Sequence, residues 1–370
     1  MRVAGVMSGT SLDGIDVAIV DIRGRKIQPA AFRSTPYPKS VRAALLGVSN
    51  TMAHTSAISR LNFLLGELYA DAIKATCRRA RVPLSSVGLI GLHGQTIFHE
   101  GEPVEYLGRR VASTMQIGEA AVVAERTGIR VISNFRERDV AAGGHGAPLV
   151  PYVDQLLFHH PRRLRVALNL GGIANITVIP ARSQAVAFDT GPGNMVVDAL
   201  VAHMTKGHQT YDRDGDIARG GAVHEGLLKA MREDPYFKLK PPKTAGREQF
   251  GQQFASGLIA TGIPLADLIA TATELTAVSI TRAILDSTSD APEIIVSGGG
   301  VHNHWLMARL HYYLQPWKIR GSADFGIDPD AKEAIAFAVL AHEFVRGRRA
   351  NLPSATGARR AVILGKSSPV

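Results

Sequence analysis

The sequence predicts a two-lobed α/β fold with a central cleft between the lobes, and three observations carry that prediction. Two short β-type runs, Val3 to Met7 and Ile15 to Asp21, flank a turn of small and polar residues near the start, which is the pattern of a hairpin. The same layout returns near the midpoint, with Val166 to Leu170 and Ile176 to Ile179 flanking the turn Gly171 to Asn175. Mixed helical and strand-like segments follow each copy, so the chain reads as a duplicated unit. At 370 residues it is long enough for each unit to hold its own core.

The elements follow in order. After the first hairpin, Ile58, Leu61, Leu64, Leu65, Leu68 and Ala72 recur at helical spacing and predict a helix over about 56–80. Val87 to Leu92 reads as a buried strand that ends at His93-Gly94-Gln95-Thr96. A helix over about 118–127 leads into a strand at 130–133. Past the second hairpin, helices are expected over 195–204, 220–231 and 264–285, then a strand Glu293 to Ser297 and a last helix over about 331–346. The expected organisation is an N-terminal lobe over 1–160, a C-terminal lobe over 161–349, and a tail over 350–370 that packs back on the N-terminal lobe.

Composition excludes several function classes. Hydrophobic residues at 45% and charged residues at 20% are ordinary for a globular chain. The net charge of +10 fits a nucleic-acid binder or a basic enzyme that handles phosphates. The basic clusters are short and lack interleaved aromatics, so no nucleic-acid partner is expected. One cysteine, Cys77, permits no intrachain disulfide and no cysteine-rich metal site, and its surroundings suggest a buried helical thiol. The first residues enter a strand without a signal-peptide layout, and no apolar run approaches bilayer length. A cytoplasmic protein without a membrane partner is expected.

Four motifs carry chemistry. Gly9-Thr10-Ser11-Leu12-Asp13-Gly14-Ile15-Asp16 combines glycines for close backbone approach with hydroxyl donors, as a phosphate-binding turn requires; a polar turn without ligand has the same pattern. It lacks the Gly-Lys-Ser/Thr ending of a Walker loop. Gly171-Gly172-Ile173-Ala174-Asn175 reads either as the far side of a phosphate site or as a tight hairpin. Gly298, Gly299 and Gly300 follow a buried strand and open a helix, where a nucleotide can approach the backbone. Asp189, in Phe188-Asp189-Thr190-Gly191-Pro192-Gly193-Asn194, is equally a general base and a cap for the next helix. His93 is one polar group at a strand end, and no histidine spacing indicates a metal site.

Taken in order, these motifs resemble the anhydro-N-acetylmuramic acid kinase family. Met7 to Asp16, Leu92 to Thr96, Asn169 to Asn175 and Asp189 to Asn194 match its signatures. So do Pro241-Pro242-Lys243 with Gly246-Arg247-Glu248, and Asn351-Leu352-Pro353-Ser354. The resemblance implies a two-lobed actin-like (ribonuclease H-like) ATPase fold. It also implies an ATP- and Mg²⁺-dependent kinase that opens the 1,6-anhydro ring of its amino sugar with water and phosphorylates O6. Gly9 to Asp16, with Gly171, Gly172, Asn175 and Gly298 to Gly300, would hold ATP. Asp189 would be the base, and His93, Gln95, Arg136, Asp139 and Glu333 would face the sugar. The Mg²⁺ ligands stay unassigned, and a homodimer is implied. The chain departs from the family pattern at Met7-Ser8 (Asp precedes Gly-Thr in many actin-like kinases), Asn134 (usually Asp), His145 (usually Gln) and Thr244-Ala245 (usually Ser-Thr).

Overall fold

The computed structural model describes residues 1–9, 12–24, 26–288 and 290–370. The chain forms two compact units, one comprising Met1–Leu157 with Ala331–Val370 and the other Phe158–Asp330.

The first unit is built on the strands β1 (Arg2–Ser8), β2 (Gly14–Arg23), β3 (Lys26–Pro36), β4 (Leu89–Tyr106), β5 (Arg109–Ile117) and β6 (Val131–Ser133). The second holds β7 (Arg165–Leu170), β8 (Ile173–Ile179), β9 (Val186–Pro192), β10 (Glu293–Ser297) and β11 (Ile319–Gly321), after which β12 (Lys366–Ser368) rejoins the first sheet. The sheets run β12-β6-β4-β1-β2-β3 and β11-β10-β7-β8-β9, with β5 paired to β4. In each, three consecutive strands form an antiparallel meander. Two further strands then add in parallel beside the first of them. The duplication suggested by the two hairpins is therefore a duplication of whole-sheet topology.

Chemistry explains the layers. β1 and β2 are buried on both faces and read as continuous apolar runs. The helix Thr55–Arg79 covers one face through Leu61, Leu65, Tyr69, Ile73 and the buried Cys77. The helix Lys332–Val345 covers the other. Its approach depends on missing side chains: a Cβ on Gly5 would lie 1.8 Å from the Ala334 carbonyl oxygen, and one on Gly91 would lie 2.1 Å from that of Phe337. Helix and sheet meet backbone to backbone there.

That helix corrects the expected boundary at 349/350. The chain returns to the first unit at Ala331, because an almost fully buried helix needs the glycine-bearing face of that sheet. Two other expectations change. β4 continues through His93 to Tyr106, paired with β5 in a long antiparallel arm. The helix Leu265–Ser287 is long and apolar enough to cross a bilayer, with mean hydropathy 1.4, yet 83% of that stretch is buried inside the protein. It serves as the core helix of the second unit, which explains its composition.

Candidate active site

In the second unit, three glycine-bearing turns converge. The β7–β8 turn accepts from the loop after β9, with the Gly193 N–H to Gly172 O at 2.9 Å, Asn194 N–H to Gly171 O at 2.9 Å and Met195 N–H to Gly172 O at 3.1 Å. A Cβ on Gly193 would stand 2.2 Å from Gly171 O, so the two turns nest only because that position is glycine. The turn after β10 joins them: a Cβ on Gly300 would meet Leu170 Cβ at 2.6 Å, and one on Gly298 would meet Leu170 O at 2.9 Å. Gly299 differs, since a Cβ there would meet no atom within 4 Å. Protein packing does not require that glycine, and the open backbone leaves room for a ligand.

Asp189 lies on β9 opposite Asn175 of β8. The segment 236–245 wraps it. Its main-chain N–H donates to Lys243 O at 3.1 Å, and its carbonyl accepts the Tyr236 hydroxyl at 2.6 Å. Oδ2 accepts the Ala245 N–H at 2.8 Å. Oδ1 has no hydrogen-bond partner among the described residues. Burial pushes the Asp189 carboxyl up to about 7, against the opposing pull of the Ala245 N–H and the Lys243 charge. Of the two open readings, base or cap, the geometry excludes the second: the Asn194 backbone, not Asp189, precedes the helix Met195–Met204.

In the first unit, Thr10 and Ser11 lie outside the described residues. The flanks of their turn are firm. Leu12 is buried at a φ of 56°, and its N–H donates to Gly9 O at 3.2 Å. Ile15 is buried as well, so Leu12 and Ile15 face the core. Any ligand contact at these two positions is made by the main chain. Asp13 is exposed, Gly14 pairs with Pro36, and Asp16 pairs with Met7 at the start of β2.

The expected sugar-side residues divide into two groups. Gln95 is fully buried, and its Nε2 donates to Gly9 O at 3.0 Å. It braces the first hairpin from behind. Asp139 is also fully buried: Oδ2 accepts the Gly146 N–H at 2.9 Å, and Oδ1 accepts from Asn351 Nδ2 at 2.6 Å and Thr356 Oγ1 at 2.8 Å. It ties the 143–148 loop to the C-terminal segment and presents no free oxygen. His93, also buried, bonds Gly94 O through Nδ1 and accepts from Arg136 Nε through Nε2 at 2.9 Å. Burial first, and then the Arg136 charge, hold its pKa well below the usual range, so the ring stays neutral and positions the arginine.

Arg136 and Glu333 remain open to a ligand. Arg136 also donates from Nη1 to Gly146 O at 2.8 Å, but makes no ion pair with a described residue. Burial lowers its pKa to about 10. Glu333, half-buried in the first turn of the helix Lys332–Val345, has no hydrogen bond or ion pair to a described residue, and burial raises its pKa. A guanidinium held only by neutral acceptors and a carboxylate with no hydrogen bond to a described residue add little to stability, and they suit a polar ligand that carries both acid and hydroxyl groups.

The family model for anhydro-N-acetylmuramic acid kinase matches residues 1–370. The chain belongs to that family. It is 42% identical to the anhydro-N-acetylmuramic acid kinase of Caldanaerobacter subterraneus subsp. tengcongensis, covering 99% of this chain and 96% of the relative. It is 43% identical to that of Salinibacter ruber, again covering 99% and 96%. Among solved structures it is similar to the ADPNP-bound activator of the 2-hydroxyisocaproyl-CoA dehydratase from Clostridium difficile, at 11% identity and a TM-score of 0.46 over 94% of this chain and 96% of that one.

Two family motifs had no role in the sequence reading. Pro241-Pro242-Lys243 belongs to the wrap around Asp189, and Asn351 anchors Asp139 while accepting the Val362 N–H at 2.6 Å. Their order along the chain was visible, but their targets lie 50 or more residues away. The departures from the family pattern are absorbed locally. Asn134 accepts from Ser133 Oγ and donates to Glu137 at the start of the helix that carries Arg136. His145 pairs with Glu102 at 3.1 Å. Ala245 touches Asp189 through its main chain, which any side chain allows.

Proposed function

We propose that this chain is an ATP-dependent kinase that opens the 1,6-anhydro ring of 1,6-anhydro-N-acetylmuramic acid and phosphorylates O6, yielding N-acetylmuramic acid 6-phosphate and ADP in cell-wall recycling. The observation that carries this reading is Asp189, a half-buried residue whose carboxyl is raised to about 7 by desolvation, with Oδ1 unpartnered among the described residues. A base of that strength accepts a proton from water near neutral pH. The deprotonated water adds to the anomeric carbon, the C1–O6 bond breaks, and O6 takes the γ-phosphoryl group as ADP leaves.

Positioning and charge neutralisation do most of the work in phosphoryl transfer. In the second unit the main chain around Gly171, Gly172 and Gly298 to Gly300 would supply N–H groups for the phosphates, with Asn175 on the same hairpin, and for the turn Gly9 to Asp16 of the first unit the same role rests on the family resemblance. Arg136, held as a fork by His93 and Gly146, would take the carboxylate of the sugar's lactyl group. Glu333 would accept a sugar hydroxyl. His93, Gln95 and Asp139 serve this site by positioning. No group of three or more metal-ligating side chains occurs among the described residues. Mg²⁺ bound with ATP would neutralise the transferring charge, with Asp13, Asp16, Asp189 or water as its open choices of ligand.

The test is a mass measurement on the product formed from Mg-ATP and the anhydro-sugar. A gain of one phosphate plus one water, abolished in Asp189→Asn, supports the reading. An unchanged anhydro-sugar beside a different amino sugar that gains phosphate alone would move the substrate assignment elsewhere. The family resemblance further supports a cytoplasmic homodimer, which sedimentation equilibrium would reveal as twice the chain mass.

A further inference from the structure

The wrap around Asp189 contains a group whose arrangement the proposed reaction does not by itself require. Lys243 places its ammonium over the Tyr236 ring, 4.5 Å from the centroid, and donates to the Tyr236 carbonyl at 3.2 Å. It makes no ion pair with Asp189, although the same residue's carbonyl binds the Asp189 N–H. Tyr236, 3% exposed, is itself wedged edge-on against Phe237 and Phe250. The ammonium is therefore parked on an aromatic platform and not on the carboxylate.

We propose that Lys243 and Tyr236 are positioning residues for the base: Tyr236 and the Lys243 main chain pin the strand at Asp189, and the parked ammonium sets how readily Oδ1 takes a proton. This inference rests on Asp189 as base. Three contacts fix the base, at its N–H, its carbonyl and Oδ2, and together they leave Oδ1 as the reacting oxygen. A direct ion pair would hold a carboxylate strongly ionised and weaken it as a base. With no charge nearby, burial alone would leave it protonated at neutral pH. A cation held off on a ring lies between these limits, where its field acts without a contact bond. The groups facing Asp189 are Lys243 and Tyr236 from the wrap and Asn175 from β8. Asp286, on the helix Leu265–Ser287, in turn favours the charged form of Lys243.

The experiment follows the acid limb of kcat/KM against pH, together with ¹³C NMR titration of the Asp189 carboxyl in the free enzyme, assigned by its loss in Asp189→Asn. Lys243→Met should move both readouts up by about one pH unit. Lys243→Arg should return them towards wild type. Tyr236→Phe keeps the ring and removes only the hydroxyl bond to Asp189, and should lower kcat several-fold with KM for the sugar nearly unchanged. If the NMR midpoint in Lys243→Met stays at the wild-type value, the inference is wrong. Should Lys243→Met not fold, Lys243→Gln carries the same test. If Asp189→Asn keeps full activity while the titration still moves, the assignment of the base fails and the electrostatic coupling stands.

Discussion

The single most informative residue is Asp189, because the desolvation that suits its carboxyl to the proposed role of base is also a cost to stability. Its carboxyl sits at about 7 in the folded chain against an ordinary value of 3.8. A carboxyl raised in this way binds protons more readily when folded, so it destabilises the protein as pH rises from about 4 to about 7, and fully above that. Asp189→Asn should therefore lose about 10²–10⁴-fold in turnover, while its thermal midpoint relative to wild type climbs between pH 4 and 7 and then levels off. Differential scanning calorimetry across pH checks the second part. An Asn variant whose midpoint tracks wild type at every pH would mean that the carboxylate is not buried in solution. Arg136 makes a different case, because its fork geometry is held by His93 and Gly146. Arg136→Lys keeps the charge and loses the fork, so KM for the anhydro-sugar should rise at least tenfold and KM for ATP should hardly change.

At the scale of elements, two junctions decide whether the first unit forms. One is the backbone contact of the helix Lys332–Val345 with β1 and β4. Gly91→Val puts a side chain where only 2.1 Å separates Cβ from a carbonyl oxygen, and the variant should be insoluble or show no cooperative melt. The other is the buried carboxylate of Asp139, shared among the 143–148 loop, Asn351 and Thr356. Asn351→Ala strips one of the two donors from Asp139 Oδ1, leaves the Val362 N–H without its acceptor, and should cost about 1–3 kcal/mol by urea unfolding. Because Gly146 also holds Arg136, the same variant should raise KM for the sugar. A loss of stability with KM untouched would separate the loop from the arginine.

At the scale of the molecule, the chain leaves the first unit at Leu157 and returns at Ala331. The second unit is continuous and has its own apolar clusters around β7–β10 and the helix Leu265–Ser287. Residues 158–330 expressed alone should therefore melt cooperatively, followed by circular dichroism. Residues 1–330 should contain a folded second unit and an unfolded first one, since truncation strips the helix from the glycine-bearing sheet face. Limited proteolysis of 1–330 should leave a resistant fragment close to 158–330. Even digestion throughout would show that the second unit needs the first.

Local signals were legible in the sequence wherever chemistry repeats at short range. The two hairpins, the helices over 55–79, 265–287 and 332–345, and the glycine turns were visible, because apolar periodicity and turn chemistry act over a few residues. The edge strands β3 and β5 were not visible, since one side of each pairs with a neighbour and the other meets solvent, leaving little apolar pattern. Family motifs led to the proposal of Asp189 as the base and of His93, Gln95, Arg136, Asp139 and Glu333 as sugar-facing groups. Tertiary structure alone decided that Gln95 and Asp139 are fully buried braces, that Lys243 stands off from Asp189 on an aromatic ring, and that the last long helix belongs to the first unit. Each of these depends on burial and on partners 50 to more than 300 residues away. Desolvation, which sets what a carboxylate can do, exists only once the chain has folded around it.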